Sequence, residues 1–254
     1  MRVRLLCVSA VLLTGCGAAA PTVSASTAAS ATAASATAAS AAASSLAARP
    51  LESVASPASA SALPAPSDFT VVETAVTAAD LPHSWRDGCP VGPADLRRLE
   101  LSHWGFDGRA RTGILIVHRD AAGDLRSVFA ALWREKFPIR LLRPVDEYGG
   151  SDDDSMAADN TSAFNCRNAV STGPPRWSAH AYGRAVDVNP VENPYLISGR
   201  VLPPAGAQYT DRANVRPGMA VAGGPLVRAF EAVGWTWGGR WSAPDYQHFS
   251  QNGR

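Results

Sequence analysis

Apolar positions after residue 110 recur at the spacings of short strands and helices. The run 114–117, Ile-Leu-Ile-Val, is a continuous apolar segment of the kind that forms a buried strand. Between residues 125 and 136 the apolar positions recur every three or four residues, which predicts an amphipathic helix that stops before Pro138. The side chains on this helix face are Leu125, Val128, Phe129 and Leu132.

Four further segments continue this pattern. Residues 139–145 and 186–188 predict strands, and residues 248–250 predict a last short strand. Residues 225–233 predict a second helix, which Gly234 ends. Helices and short strands mixed in this order favour an α+β fold over a regular βαβ array.

Residues 1–16 have the layout of an export signal. Arg2 and Arg4 precede an apolar stretch over 5–13, which is too short to span a membrane but has the length of a signal-peptide core. The segment ends in Leu-Thr-Gly-Cys16, which resembles a bacterial lipobox. We therefore expect Cys16 to be lipidated and the exported protein to be anchored by this lipid alone to the outer face of the cytoplasmic membrane, facing the cell wall. A plain secretory signal with an incidental cysteine is the alternative.

Residues 17–66 predict a disordered linker. Ala, Ser, Thr and Pro dominate this segment, it has no aromatic residue, and Arg49 and Glu52 are its only charged residues. All seven Trp, all five Tyr and all five His lie in 67–254, which is long enough to bury a core. This part of the chain therefore predicts one folded domain.

The charge balance bears on possible partners. The chain has 23 basic and 22 acidic residues, for a net charge of +1. Because affinity for nucleic acid comes mostly from the neutralisation of phosphates by many cations, this balance gives no reason to expect a nucleic-acid partner.

Two cysteines, Cys89 and Cys166, lie in the predicted domain. An exported protein meets oxidising surroundings, which favour a disulfide between them. Two separate buried thiols are the alternative.

Two short motifs carry the candidate chemistry. The first is the segment 178–187, Ser-Ala-His-Ala-Tyr-Gly-Arg-Ala-Val-Asp, and the second is 245–249, Asp-Tyr-Gln-His-Phe. Two histidines and one carboxylate form a ligand set suited to Zn²⁺. The motifs supply two histidines, His180 and His248, and two carboxylates, Asp187 and Asp245, and therefore predict a zinc site.

The spacing within each motif can bring its side chains to the same place. Gly183 permits a tight turn that brings His180 and Asp187 to one point. Asp245 precedes His248 by three residues, so both side chains can face the same space from one turn. Three protein ligands leave the fourth zinc position open for water, as in catalytic sites, and a carboxylate beside that water can take its proton.

The two motifs together resemble those of D-alanyl-D-alanine carboxypeptidases, the VanY-like zinc peptidases, a family that also includes L-alanyl-D-glutamate endopeptidases. The similar pattern is Ser-x-His-x-x-Gly-x-Ala-x-Asp followed by Asp-x-x-His-Phe. Further similar segments at 148–150, 160–167 and 234–239 extend the resemblance over residues 84–250.

The resemblance implies a small central antiparallel sheet with flanking helices, as in carboxypeptidases and hedgehog-type peptidases. It also implies that His180, Asp187 and His248 bind zinc and that Asp245 is the general base, where many members carry Glu. Several relatives place an Arg just after the strand that here ends at 146–148, but this chain has two glycines there. Because an oxyanion benefits from a fixed cation, Arg167 is our first candidate for this role and Arg143 the second.

Other residues have two open interpretations. Ser178 either contacts substrate or orients the turn that follows it. Trp237, with Trp235 and Trp241, either walls a substrate cleft or packs in the core. The acidic run 152–154 lacks the ligand pattern of an EF-hand loop and predicts an exposed loop.

These observations predict a zinc metallopeptidase that hydrolyses peptide bonds in the peptidoglycan stem peptide and acts as a monomer. Removal of a terminal D-Ala and cleavage between L-Ala and D-Glu both remain open, because the sequence does not show the ends of the groove. A peptidoglycan-binding lipoprotein that keeps zinc without cleaving is the alternative. An interaction module with structural zinc would need a fourth protein ligand, which the motifs do not supply.

Overall fold

The computed structural model describes residues 68–170 and 174–253, so the predicted signal peptide, Cys16 and the predicted linker lie outside the described residues. The α+β class is confirmed. The strands are β1 (Val71–Ala75), β2 (Leu96–Trp104), β3 (Ala110–His118), β4 (Leu141–Leu142), β5 (Asn160–Thr161), β6 (Ala185–Asp187), β7 (Tyr195–Ile197), β8 (Arg200–Leu202), β9 (Thr236–Trp237) and β10 (His248–Ser250). The helices are α1 (Ala122–Arg134), α2 (Asp152–Ala157) and α3 (Pro225–Glu231). None of the helices in this part of the chain is both long and apolar enough to cross a bilayer.

The first sheet is antiparallel with the order β1-β2-β3. Its β2–β3 register pairs Leu99 with Leu115, and these side chains are fully buried. Helix α1 packs against this sheet through the apolar face that its 3.6-residue period predicts. The largest core cluster forms between them.

The second sheet holds the residues of both motifs. Its order is β6-β10-β9, both pairs are antiparallel, and its register places His248 directly opposite Asp187. The next residue, Phe249, points to the opposite face and stacks on Phe230 of α3 with ring centroids 4.1 Å apart. The alternation of the strand therefore sends Phe249 into the core and the histidine away from it.

Several elements predicted from the sequence are confirmed. The strand over 114–117 lies within β3, and the helix over 125–136 is α1, which begins slightly earlier and ends at Arg134. The short strands at 186–188 and 248–250 overlap β6 and β10, and the helix over 225–233 is α3.

The strand predicted over 139–145 is wrong in its extent. Only Leu141–Leu142 is extended and paired, as β4. Pro144 has no N–H with which to continue a ladder, and a 3-10 turn begins directly after it at Val145–Tyr148.

The exposed loop predicted over 152–154 is also wrong, because these residues form the first turn of α2. The Ser151 hydroxyl caps this helix by accepting a hydrogen bond from the Asp154 N–H at 3.2 Å. Three carboxylates at a helix N-terminus are favourable because the exposed N–H groups there carry partial positive charge.

Cys89 and Cys166 form the expected disulfide, with their Cα atoms 5.9 Å apart. The Cys166 N–H also donates to the Ser84 carbonyl at 2.9 Å. The disulfide and this hydrogen bond fix the backbone immediately before Arg167 to the segment between β1 and β2.

Candidate metal centre and cleft

The first motif forms a capped turn that presents His180. Ser178 accepts a hydrogen bond from the His180 N–H at 3.3 Å and so caps the 3-10 turn Ala179–Tyr182. The turn ends at Gly183, whose φ of +64° favours glycine. A Cβ at Gly183 would also lie 2.6 Å from the His118 backbone nitrogen, so the turn can sit this close to β3 only with glycine.

The second sheet brings the other two ligand candidates to the same place. Asp187 and His248 are directly opposed on β6 and β10, so their side chains project from one face. The His248 N–H lies 3.3 Å from the Asp245 carbonyl oxygen, which closes a turn that places Asp245 beside the pair. The side chains of these three residues and of His180 are at least nine-tenths buried.

The two histidine nitrogens lie close to each other, and each is close to a different oxygen of Asp187. His180 Nε2 lies 3.1 Å from Asp187 Oδ2 and 3.2 Å from His248 Nδ1. His248 Nδ1 lies 3.0 Å from Asp187 Oδ1. Ligands of a tetrahedral zinc at its usual bond lengths of about 2.0–2.1 Å are about 3.3 Å apart. The spacing and chemistry of this donor set therefore fit a zinc ion.

The orientation of His180 supports the same conclusion. Its Nδ1 lies 2.6 Å from the Ala163 carbonyl oxygen, so this nitrogen donates its hydrogen there. Nε2 then carries the lone pair that faces Asp187, which is how metal-binding histidines are commonly oriented by a carbonyl or carboxylate. Burial alone would raise the pKa of Asp187, but the two histidines outweigh this effect and hold the pKa well below its ordinary range.

The carboxylate of Asp245 differs from that of Asp187 in its hydrogen bonding and in the direction of its pKa shift. Its Oδ1 is buried and has no hydrogen-bond partner among the described residues. Burial, followed by repulsion from Asp187, raises the pKa of Asp245 to about 7. A carboxyl group with a pKa near neutrality is suited to taking up and returning a proton.

Gly238 allows the Asp245 segment to lie close to the second sheet. The Asp245 N–H donates to the Gly238 carbonyl at 3.1 Å. A Cβ at Gly238 would lie 2.8 Å from the Asp245 carbonyl oxygen, so any larger residue would displace this backbone.

The four side chains face a cleft of about 980 Å³. Arg167 lines this cleft, and its Nη2 lies 2.9 Å from Asp152 Oδ2 at the start of α2. Arg143, the second candidate for an oxyanion partner, is elsewhere. It pairs with Glu147 at 3.0 Å beside a separate cavity, so the structure does not bring it to this site.

The other residues that the sequence suggested as substrate contacts lie either in the cleft or in the core. Ser178 lines the cleft and also caps the His180 turn, so both of its interpretations stay open. Trp237 belongs to the core, since it is 4% exposed and its indole N–H donates to the Tyr246 carbonyl at 2.9 Å. Trp235 is likewise a core residue, whereas Trp241 lines the cleft with its ring centroid 5.2 Å from that of His248.

Two cleft residues were not predicted from the sequence. Asp152 holds Arg167, and Tyr195 forms a β-bridge with Asp245. The acidic run at 152–154 was visible, but the helix that aims its first carboxylate at Arg167 was not. The bridge joins residues 50 positions apart, and such a pairing leaves no local signal in the sequence.

Comparison with known proteins identifies one family. Residues 172–251 match the family model described as D-alanyl-D-alanine carboxypeptidase. This segment contains both motifs and most of the candidate residues in the cleft. The resemblance inferred from the motifs is therefore confirmed over residues 172–251. No curated protein and no solved structure matches the chain.

Proposed function

Because the segment that carries the site matches the D-alanyl-D-alanine carboxypeptidase family, we propose that this protein is a zinc metallopeptidase of the peptidoglycan stem peptide. One observation supports this proposal above the others. His180 Nε2 and His248 Nδ1 lie 3.2 Å apart, and each lies within 3.1 Å of a different oxygen of Asp187. A fourth buried side chain in the same cleft, Asp245, has an oxygen with no hydrogen-bond partner among the described residues. This arrangement supplies both a ligand set and a base.

The zinc ligands in this proposal are His180 Nε2, His248 Nδ1 and one oxygen of Asp187. When bound, the ion supplies a Lewis acid and lowers the pKa of water toward neutrality. These three residues would hold the ion through side chains that project from β6, β10 and the turn before β6. All three side chains line the cleft.

Asp245 acts as the general base and then as the general acid. Its carboxylate accepts a proton from the water that attacks the scissile carbonyl, and it returns that proton to the leaving amine. Burial of its charge and repulsion from Asp187 favour uptake of the proton, and a pKa of about 7 still allows the proton to pass to the leaving amine. The match of its pKa to neutral pH makes each transfer nearly balanced.

Arg167 stabilises the negative charge that develops on the carbonyl oxygen. Its guanidinium is held by Asp152 and its Nε is buried without a hydrogen-bond partner among the described residues. A donor that is fixed in place before the reaction needs little reorganisation as charge develops, and this is the basis of oxyanion stabilisation.

The experiment that tests this function uses the full chain loaded with zinc and a panel of synthetic stem peptides, with products identified by mass spectrometry. Loss of a terminal D-Ala would make the protein a carboxypeptidase, and a cut between L-Ala and D-Glu would make it an endopeptidase. Intact peptides from a protein shown to hold zinc would contradict the proposal and favour a wall-binding lipoprotein. Asp245→Asn is the control, since it should hold zinc and leave the peptides intact.

Anchoring through Cys16 is a separate part of the proposal. A lipid on this residue would keep the domain within reach of the wall, with the segment 17–66 as its tether. Labelled fatty acid should enter the wild-type chain and not the Cys16→Ser chain. Equal labelling of the two chains would contradict the assignment.

A further inference from the structure

Tyr195 is the cross-strand neighbour of Asp245. The two residues form an antiparallel bridge, and side chains directly opposed in such a pair project from the same face with Cβ atoms about 4.5–5.5 Å apart. Backbone hydrogen bonds flank the bridge on both sides, from the Leu196 N–H to the Pro244 carbonyl at 2.8 Å and from the Tyr246 N–H to the Pro194 carbonyl at 3.4 Å. The position of Tyr195 relative to Asp245 is therefore fixed by the backbone.

A short hairpin holds Tyr195 against the cleft. Strands β7 and β8 pair through Tyr195 with Leu202, and their connection at Ser198 and Gly199 has the positive φ angles of a tight hairpin turn. Tyr195, Ile197, Ser198 and Leu202 all line the cleft. The hairpin thus forms one wall of the cleft, and Tyr195 is the hairpin residue paired with the proposed base.

The phenol of Tyr195 has unused hydrogen-bonding capacity. The side chain is half-buried, and its hydroxyl has no hydrogen bond to any of the described residues. Burial, followed by the nearby charge of Asp245, raises the pKa of Tyr195, so the hydroxyl keeps its proton at neutral pH. A phenol O–H that faces a peptide in this cleft donates to an oxygen, either of a carbonyl or of a carboxylate, because peptide N–H groups are donors themselves.

We infer that Tyr195 is a further catalytic residue, whose O–H donates a hydrogen bond to the oxygen of the scissile carbonyl as it becomes an oxyanion. This inference rests on the proposed peptidase function. Arg167 and Tyr195 then contribute donors from different elements, one from the segment after the disulfide and one from the hairpin. No atom is transferred to or from Tyr195, since the proton stays on the phenol while Asp245 moves the proton of the attacking water.

The test compares zinc-loaded wild type with Tyr195→Phe on the stem peptide that the wild type cleaves. Loss of one oxyanion donor costs up to about 100- to 1000-fold in kcat. With Arg167 still present we expect kcat to fall about 10- to 100-fold while KM changes less than about threefold. Zinc content and Tm should stay at the wild-type values, because the ring remains and the lost hydroxyl bonds to none of the described residues. Tyr148→Phe is the matched control, since Tyr148 lies outside the cleft and should keep full activity.

A measurement of binding affinity tests the same hydrogen bond in the absence of turnover. A phosphinate analogue of the scissile peptide carries anionic oxygens in place of the tetrahedral oxyanion, and its Kd should weaken in Tyr195→Phe by the same factor as kcat/KM. Unchanged kcat and unchanged phosphinate affinity would overturn the inference while leaving the peptidase function intact. A rise in KM alone would also overturn it, because it would place the hydrogen bond on a flanking carbonyl. If no stem peptide is cleaved by the wild type, the proposed function fails, and the phosphinate comparison still decides the role of Tyr195.

Discussion

Arg167 Nη2 lies 2.9 Å from Asp152 Oδ2, and each side chain is about one-fifth exposed. The pair joins the segment after the disulfide to the first turn of α2, at the wall of the cleft that holds the candidate metal centre. In the proposed reaction, Asp152 is therefore a positioning residue that acts through Arg167.

Removal of the Asp152 charge should loosen Arg167 without affecting the metal. We expect Asp152→Asn to lower kcat/KM by about 10-fold, because the guanidinium loses its charged partner and its fixed orientation. Zinc content should stay at one ion per chain. Asp154→Asn is the matched control, since it removes an equivalent carboxylate from the same helix turn outside the cleft. Equal losses in both variants would show that the helix, rather than the Arg167 pair, matters.

Asp245→Asn should separate metal binding from turnover. Asn keeps the size of the side chain but cannot accept the proton of the attacking water. Since general-base catalysis contributes about 10²- to 10⁴-fold, kcat should fall within this range. Metal analysis should still find zinc, because the three ligand atoms are on other residues. Full activity in this variant would contradict the role of Asp245.

His180→Ala should lose both zinc and activity. The substitution removes one of three ligands and leaves the Ala163 carbonyl without its 2.6 Å hydrogen bond. Zinc should raise the Tm of the wild type through preferential binding to the folded state, and it should leave the Tm of His180→Ala unchanged. His83→Ala, at an exposed histidine away from the cleft, should keep the wild-type response. A zinc-induced Tm rise in His180→Ala equal to that of the wild type would exclude His180 as a ligand.

Glu192 should make the stability of the domain depend on pH. Its side chain is 1% exposed, and its Oε1 lies 3.0 Å from Arg140 Nη2. Burial, followed by the nearby carboxyl of Asp159, raises the pKa of Glu192 to about 7. Because the folded state favours the protonated form, this contribution to stability is complete below the unfolded pKa of about 4.5 and is lost as the pH rises through about 7.

Denaturant unfolding at pH 5 and pH 8 measures this effect. The wild type should lose stability between these values, with about 3 kcal/mol as the upper limit from Glu192. Glu192→Gln stays neutral throughout, so its stability should change less over the same interval. Glu147→Gln, at an exposed surface pair with Arg143, should keep the wild-type slope. A Glu192→Gln slope as steep as that of the wild type would rule out this assignment.

Most of the candidate metal centre follows from local patterns in the sequence. The 3-10 turn before Gly183 and the two short strands at 185–187 and 248–250 are encoded within each motif. Strand alternation fixes which residues face the core, as with Phe249 against Phe230. The convergence of the ligand atoms then follows once the two strands pair in register.

Features that depend on distant contacts were not predictable in the same way. Trp237 looked equally suited to a cleft wall, but its indole finds a backbone carbonyl in the core. Residues 152–154 read as a loop because their helix is short and depends on the Ser151 cap. Arg143 and Arg167 are both candidates from the sequence, and only the tertiary fold places one of them in the cleft.

The most direct test of the central claim is a metal titration of the peptidase activity. The full chain would be stripped with a chelator, dialysed and titrated with zinc against a cleavable stem peptide, with product measured by mass spectrometry. We predict that activity disappears on stripping and returns in proportion to added zinc up to one ion per chain. Cleavage that persists in fully stripped protein, or that fails to return when one zinc per chain is bound, would contradict the account.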